Sequence, residues 1–301
     1  FNTANVTTMY AMFYSCEKLP TLTVSNFNTG KVTTMSNMFA NCKALTSLNL
    51  SNFDTSNVTN IDSMFLRCEK LASLRMGFKT SKVTSMQQVF YACYKLTSLN
   101  LSSWDTSKVT SMYGMFEGCD KLTNLNLTGI NTSSVVSMRN MFLNCSGLTS
   151  LNVLSFDTSK VTSMHGMFAG CSSLTSLDLA SFETVSVTDM SEMFANCYKL
   201  TSLDLVDFDT TSVTTMASMF DTCTNLKTID TSLIFACDKV TDMSYMFYAC
   251  NDLGVINLLG FNINVTTNMS YMFGECYSLL KITFGSSFTT GLVTNFTQMF
   301  K

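Results

Sequence analysis

Eleven cysteines recur along this 301-residue chain at intervals of 25 to 27 residues, and they are its first candidates for chemistry. Zinc sites require Cys-x-x-Cys pairs or convergent Cys and His, but these cysteines are spread along the chain and the single histidine is His165. If they lie on helices packed side by side, neighbouring thiols would be about 8–10 Å apart, too far for a disulfide. We therefore expect a row of buried, unpaired thiols. Its members are Cys16, Cys42, Cys68, Cys93, Cys119, Cys145, Cys171, Cys197, Cys223, Cys250 and Cys276.

Two further residues could carry chemistry but have simpler explanations. Cys237 stands where other repeats have a turn threonine, such as Thr55 or Thr106, so a neutral substitution is favoured over a functional thiol. His165 occupies a position filled elsewhere by Ser, Gln, Tyr or Arg, and we expect it to face solvent without a role. The sequence also lacks a phosphate-binding glycine loop and a histidine paired with a nucleophile. It predicts a protein that is not an enzyme and that binds no cofactor or metal.

The interval between the cysteines is the period of the whole sequence. Self-similarity at a fixed period of this size indicates a solenoid, in which each repeat buries its apolar face against its neighbours. The sequence therefore predicts one array over residues 1–301 with about eleven repeats of 26 residues. Because it begins and ends within a repeat, we expect an uncapped segment of a longer protein. It contains no apolar run of about 18 residues, so we expect no membrane span.

One complete repeat, residues 27–53, contains an apolar stripe. Its apolar side chains lie at offsets 0, 3, 6, 7, 10 and 13, which is the spacing of one face of a helix and not of a strand. They are Val32, Met35, Met38, Phe39, Cys42 and Leu45. We therefore predict one short helix per repeat, with a threonine as its N-cap. The cap residues would be Thr33, Thr59, Thr84, Thr110, Thr162, Thr188 and Thr214.

The residues that follow this stripe alternate between apolar and polar. Leu48 and Leu50 point to one side of the chain and Ser47 and Asn49 to the other, as in a strand with one buried face. The pattern recurs at Leu99/Leu101, Leu125/Leu127, Leu177/Leu179 and Leu203/Leu205. Stacked copies would form a parallel sheet with strands about 4.8 Å apart. The predicted fold is therefore an α/β solenoid with one short parallel strand and one short helix per repeat.

An aromatic residue follows the predicted strand, and a polar turn such as Asp54-Thr55-Ser56 comes next. A large ring at one depth in every repeat predicts a stacked aromatic spine in the core. The rings would be those of Phe27, Phe53, Trp104, Phe156, Phe182 and Phe208. Three repeats differ from the others in length. The residue that is lost or gained lies between the strand and the aromatic, near Gly77, residues 232–234 and residues 285–287. This segment should therefore be a surface loop.

The repeat motif resembles that of a known family. Residues 171–179 follow the pattern C-x-x-L-x-x-L-x-L, with Met167 and Phe168 just before the cysteine, and residues 156–164 read FDTSKVTSM. Over the whole chain this motif resembles the BspA-like leucine-rich repeats of bacterial and protist surface proteins, in the variant known from mycoplasma lipoproteins and Gram-positive surface proteins. The resemblance implies a leucine-rich-repeat-like solenoid, an extracellular location and a role in adhesion or in host and matrix contact. It implies no catalytic residues.

The outward positions of the predicted strands form two rows of small polar residues. They could simply solvate a crowded sheet surface and hydrogen-bond along the stack, or they could form a recognition face, because solenoids bind ligands on their sheet side. Asp178, Asp204 and Asp230 would lie on neighbouring strands, where like charges repel, so they could hold a cation or a basic partner. The candidate binding residues are Ser47, Asn49, Ser98, Asn100, Asn124, Asn126, Ser150, Asn152, Ser176, Asp178, Ser202, Asp204 and Asp230.

The leading hypothesis is an adhesive or spacer module at the cell surface that contacts a protein, the extracellular matrix or a glycan, and no nucleic acid. A second is a subunit of an extracellular filament, because residues 1–150 carry 12 Lys/Arg and 7 Asp/Glu (net +5) and residues 151–301 carry 6 and 14 (net −8). Opposite charges at two uncapped ends would favour homotypic head-to-tail contact. A third is binding of ice or a crystal surface through the Thr, Ser and Asn rows.

Overall fold

The structure, a computed structural model, describes residues 2–230, 236–286 and 288–301. It divides into two units, Phe1–Leu148 and Thr149–Lys301, and each is a coil of stacked repeats. Over the described residues the coils amount to a β-solenoid of about nine turns. The predicted solenoid is therefore confirmed, and the predicted count of eleven repeats is wrong. Eleven is the number of cysteine-containing motif copies in the sequence. It is larger than the number of turns that the described backbone forms.

Each unit contains two pairs of short parallel strands. In the first unit, β1 (Ser47–Leu50) pairs with β2 (Ser73–Met76), and β3 (Ser98–Asn100) pairs with β4 (Asn124–Asn126). In the second unit, β5 (Ser202–Asp204) pairs with β6 (Thr228–Asp230), and β7 (Val255–Leu258) pairs with β8 (Lys281–Phe284). Equivalent residues of consecutive repeats face each other, as Leu48 faces Leu74. The predicted parallel arrangement is confirmed for these repeats.

One predicted strand does not form a regular ladder. Leu177 and Leu179 are buried and Ser176 and Asp178 are exposed, so the alternation of side chains is as predicted. The backbone there is not a strand, and the bond from the Thr201 amide to the Thr175 carbonyl is long, at 3.4 Å. Burial of alternate side chains therefore does not require regular backbone pairing in every repeat.

The predicted helix is wrong: the described residues contain no helix. The apolar stripe lies instead on a chain of tight turns, in which the Met38 amide donates to the Met35 carbonyl at 3.1 Å and the Cys42 amide to the Phe39 carbonyl at 3.1 Å. The intervening amides donate to the next turn of the coil, as from Asn41 to the Leu66 carbonyl at 2.7 Å. Because each tight turn also brings residues three or four apart to one side, the spacing alone cannot distinguish this arrangement from a helix.

Left-handed residues interrupt the tight-turn segment at every fourth position. In one repeat they are Asn37 and Asn41, with φ of 56° and 61°. A right-handed helix cannot pass through such residues, so the backbone conformation itself excludes it. The predicted N-caps fail for the same reason. Thr33, for example, uses its hydroxyl to bond the Thr7 carbonyl of the preceding turn at 3.2 Å.

Two stacks of rings run through the core of each unit. The predicted aromatic spine is confirmed, with ring centroids 6.4 Å apart between Phe27 and Phe53 and also between Phe182 and Phe208. The phenylalanines that precede the cysteines form a second stack, as between Phe39 and Phe65 at 5.7 Å. Their planes are nearly parallel because every repeat presents the same ring at the same height. These stacks position the turns of the coil above one another.

Most repeats carry a threonine two residues after the aromatic, in the predicted polar turn, and these threonines are buried, except for Thr290. In Thr106 the hydroxyl donates to the Asn131 carbonyl at 2.7 Å and accepts from the Asn131 amide at 2.8 Å. Thr55 makes the same pair of bonds with Lys79, and Thr158 with Glu183. Each threonine therefore joins two consecutive turns through the backbone. We call this double hydrogen bond the threonine clamp.

Candidate partner-binding surface

The outward side of the strands, which we call the strand face, presents the predicted polar rows to solvent. In the first unit Ser47, Asn49, Ser98, Asn100 and Asn124 are exposed. Asn126 is half-buried. Strand register places Ser98 beside Asn124 and Asn100 beside Asn126. The structure therefore brings these predicted site residues together on one side of the first unit.

The second unit has its own strand face, which is acidic. Ser150, Asn152, Ser176, Asp178, Ser202 and Asp204 are exposed there. Strand register pairs the backbone of Asp204 with that of Asp230, whose side chain lies outside the described residues. No group of three His, Cys, Asp or Glu side chains that could hold a metal ion is found among the described residues. The cation site considered from the sequence includes Asp230 and therefore stays a prediction.

The second row of the strand face also has a structural role. The side-chain oxygen of Asn49 accepts from the Ser51 amide at 3.1 Å, and the same bond joins Asn100 to Ser102 at 3.1 Å. In the second unit Asp178 and Asp204 accept from the amides two residues on, both at 3.1 Å. Such Asx turns end a strand and hold the side chain in one orientation. One oxygen of each residue is thus committed to the backbone.

A groove follows the strand face of the second unit. It has a volume of about 390 Å³ and is lined by Ser176, Asp178, Ser202, Asp204 and Asp207, with Leu177, Leu179, Ala180, Val206 and Phe208 completing its walls. The first four of these polar residues belong to the rows predicted from the sequence. Asp207 lies beyond the strand, directly before Phe208, and was not among the predicted residues. The groove combines an apolar floor with a negatively charged rim.

The cysteine row is structural, as predicted. All eleven members are free thiols, and nine are buried, with Cys16 and Cys276 half-buried. In Cys68 the thiol donates to the Phe39 carbonyl at 3.2 Å, and equivalent bonds recur along the row. Burial raises the pKa of the Cys42 thiol to about 11 and that of Cys119 to about 12. The reactive thiolate is therefore disfavoured at neutral pH.

Cys237 occupies the position of a clamp threonine and is fully buried. Burial and the nearby Asp238 charge raise the pKa of its thiol well above the usual range. This environment is that of a structural position and not of a reactive thiol.

The expectation that His165 faces solvent without a role is wrong. The residue is half-buried, and its Nδ1 lies 2.7 Å from the hydroxyl oxygen of Ser191. That hydroxyl donates to Oδ1 of Asp189 at 2.5 Å, so Nδ1 of His165 must donate to Ser191. A catalytic triad requires the histidine to accept a proton from the serine and to stand between it and the carboxylate. Here the serine is in the middle, and the arrangement ties two turns together.

These features define a class of protein. Each unit stacks short repeats whose leucines point inward from parallel strands and whose outward side is polar, which is a leucine-rich-repeat-like solenoid. The profile of the family described as "Mycoplasma protein of unknown function, DUF285" matches residues 1–93, 73–152, 136–254 and 225–301, and the chain belongs to this family. The family match confirms the resemblance to BspA-like leucine-rich-repeat proteins that the motif indicated.

Several solved structures are similar to this chain. The leucine-rich repeat protein of T. pallidum (TpLRR) is 23% identical over 57% of this chain and 72% of its own, with a TM-score of 0.39. A leucine-rich cell surface protein of Faecalibacterium prausnitzii A2-165 is 16% identical over 88% and 80%, with a TM-score of 0.40. A leucine-rich repeat protein of Bacteroides ovatus ATCC 8483 is 16% identical over 88% and 81%, with a TM-score of 0.40. No functional conclusion passes to this chain at these levels of similarity.

Two further findings are negative. Among curated proteins, no sequence matches this chain significantly. In the part of the chain that the structure describes, no helix has the length and apolar character to cross a lipid bilayer.

Proposed function

We propose that this chain is a non-catalytic, extracellular surface repeat protein that contacts partner proteins or matrix through its strand faces. The observation that carries the proposal is the strand face itself. In each unit, consecutive repeats expose small polar side chains on one side while the alternate leucines are buried. Solenoids use such extended faces to bind partners, because one contact type is repeated along the array. The family resemblance to surface proteins supports the extracellular setting.

The Asx turns prepare the strand face for binding. Because each turn fixes the orientation of an Asn or Asp side chain, less side-chain entropy is lost when a partner binds. The turn uses the side-chain oxygen of Asn49 or Asn100, and the amide NH₂ of each is a separate donor. In Asp178 and Asp204 the second carboxylate oxygen is an acceptor and the group is charged. The face of the first unit therefore favours acceptor groups of a partner, and that of the second unit favours basic groups.

Serine-to-lysine variants of the strand face test the proposal. Lys281 already occupies the first row at β8, so the fold accepts lysine at this position. We expect S47K with S98K in the first unit, and S176K with S202K in the second, to weaken binding to matrix proteins or glycans on an array by at least about 10-fold. An inserted lysine both obstructs the face and changes its charge.

A matched control uses the same substitution on another row. Lys31, Lys82 and Lys108 occupy the position two residues after the clamp threonine, where Ser134 and Ser186 stand in other repeats. The variant with S134K and S186K adds equal charge away from the strand face and should bind like the unmodified chain. The proposal is refuted if the unmodified chain binds nothing on the array, or if strand-face and control variants bind equally.

A further inference from the structure

Three tyrosines of the second unit form an aromatic cluster on the tight-turn segments, away from the strands. The rings of Tyr245 and Tyr271 are stacked, with centroids 4.7 Å apart and planes 9° apart. Tyr248 meets both rings edge-on, at 5.4 Å from Tyr245 and 6.2 Å from Tyr271. All three side chains are half-buried, so one part of each remains in contact with solvent. We call these residues the tyrosine cluster.

The tyrosine cluster forms against the local backbone preference. Tyr245 and Tyr271 have φ of 58° and 57°, in the left-handed region that is unfavourable for a bulky side chain. Other repeats place residues such as Asn37, Ser63 or Glu192 at this position in the same conformation. The fold therefore imposes the conformation, and the two tyrosines occupy equivalent positions in consecutive turns.

Gly274 makes room for the cluster. A Cβ atom at this residue would lie 3.0 Å from Cδ2 and 3.2 Å from Cε2 of the Tyr248 ring. The ring thus lies against backbone that only glycine leaves uncovered. The Tyr248 ring therefore contacts Gly274 as well as the two stacked rings.

Two carboxylates adjoin the tyrosine cluster. The amide of Thr222 donates to the Tyr248 carbonyl at 2.7 Å and that of Ala249 to the Gly274 carbonyl at 2.8 Å, so Asp221, Tyr248 and Gly274 occupy the same position in consecutive turns. Glu275 follows Gly274 directly. Partial burial raises the pKa of the Tyr248 hydroxyl, and the charges of Glu275 and Asp221 raise it further. Both carboxylates therefore act on the cluster electrostatically.

Neither carboxylate beside the cluster is neutralised by an ion pair in the described residues. Glu117 stands where Asp221 stands. Burial raises its pKa, and the hydrogen bond from Asn140 and the Arg139 charge lower it. For Asp221, burial raises the pKa, the hydrogen bond from the Thr222 side chain lowers it, and the Glu192 charge raises it further. The one ion pair within 4 Å among the described residues lies elsewhere, between Lys43 and Glu17. Lys301 lies in the next turn, where the Glu275 amide donates to its carbonyl at 2.6 Å, but no ion pair within 4 Å joins its side chain to either carboxylate.

We propose that the tyrosine cluster, with Asp221 and Glu275, binds an arginine side chain of a partner protein. A guanidinium is attracted by the electron-rich faces of phenol rings and stacks on them, and it also forms bidentate hydrogen bonds with a carboxylate. The second unit has a net charge of −8, from 6 Lys/Arg and 14 Asp/Glu over residues 151–301, which favours the approach of a basic segment. This site is separate from the strand face and does not depend on the function proposed for it.

The test is a titration of the whole chain with a capped Gly-Arg-Gly-Arg-Gly peptide, followed through the tyrosine ring resonances by NMR. Two further peptides replace arginine by lysine or by citrulline, which has the same shape without the charge. We expect saturable binding of the arginine peptide, weaker binding of the lysine peptide and none of the citrulline peptide. Binding should weaken as salt is raised, because the carboxylates contribute.

The variants introduce residues that other repeats already have at the same positions, so the fold should be kept. Y271N, Y248A and E275A introduce the residues found at the same positions in Asn37, Ala40 and Ala92. Each should weaken binding of the arginine peptide by at least about 10-fold, the order expected for losing a cation–π or charge contact. Y14A makes the Tyr248 change in the first unit and should leave binding unaltered. Equal binding of citrulline, unaltered binding by Y248A and E275A, or binding of a neutral oligosaccharide at the cluster would each overturn the proposal.

Discussion

The threonine clamp allows a sharp prediction about stability at Thr106. Thr106→Val preserves the shape of the side chain but removes the hydroxyl. The Asn131 carbonyl then loses a donor at 2.7 Å and the Asn131 amide loses an acceptor at 2.8 Å. Thr106→Ser keeps the hydroxyl and removes only one buried methyl group. The two variants therefore separate the hydrogen bonds of the clamp from its packing.

The magnitudes follow from the burial of the two residues. Each backbone group left without a partner costs about 1–3 kcal/mol when it is buried. Thr106 is fully buried but the Asn131 side chain is exposed, so water reaches part of the gap and the lower end applies. We expect Thr106→Val to lower the free energy of unfolding by about 2 kcal/mol. Thr106→Ser should lower it by about 1 kcal/mol, the value for one buried methyl group.

Urea unfolding of the whole chain gives the order of the two variants, and hydrogen exchange of the Asn131 amide reports on the bond directly. We expect the amide to lose protection in Thr106→Val and to keep it in Thr106→Ser. The reverse change, Cys237→Thr, restores a hydroxyl at a fully buried clamp position and should be neutral or stabilising. The reasoning is refuted if the valine variant is as stable as the serine variant with the Asn131 amide still protected.

Three further predictions concern thiols, backbone conformation and pH. In the native chain a thiol reagent should label Cys16 and Cys276 at most, and the nine buried row members only after denaturation, counted by mass spectrometry. Gly118→Ala should lower the free energy of unfolding in urea by about 1–2 kcal/mol, because a left-handed conformation disfavours a side chain. Gly118 has a φ of +73°, and the new Cβ would lie 3.3 Å from Cα of Ala92. The control Gly291→Ala, with nothing within 4 Å, should be neutral. Hydrogen bonds from the Ser107 side chain and backbone lower the pKa of Asp105 from 3.8, so its stabilisation is present above pH 3.8 and lost below it. Calorimetry should show that Asp105→Asn unfolds at a lower temperature than the unmodified chain at pH 7, with the gap closing as the pH falls below 3.8; a gap independent of pH would contradict this assignment.

The sequence could predict some features of the candidate sites and not others. The exposed residues of the strand face were predicted because alternation along a short strand determines which side chains point outward. Asp207 in the groove and the threonine clamp were not predicted. In the sequence Thr106 is part of a polar turn, and only the structure shows that Asn131 lies beside it. The tyrosine cluster was missed because Tyr245 and Tyr271 meet only when consecutive turns are stacked.

The sequence by itself determined the solenoid, its repeat period and the set of core residues. Burial in a stacked array must recur with the period of the repeat, and that period is visible in the apolar residues and cysteines. Only the tertiary structure decided the backbone of the tight-turn segment. An apolar spacing of three and four residues fits both a helix and successive tight turns, and the choice depends on whether an amide bonds within its own repeat or to the next one. In this chain the amides of Asn37 and Asn41 donate to Asp62 and Leu66 of the next turn, and left-handed residues replace the helix.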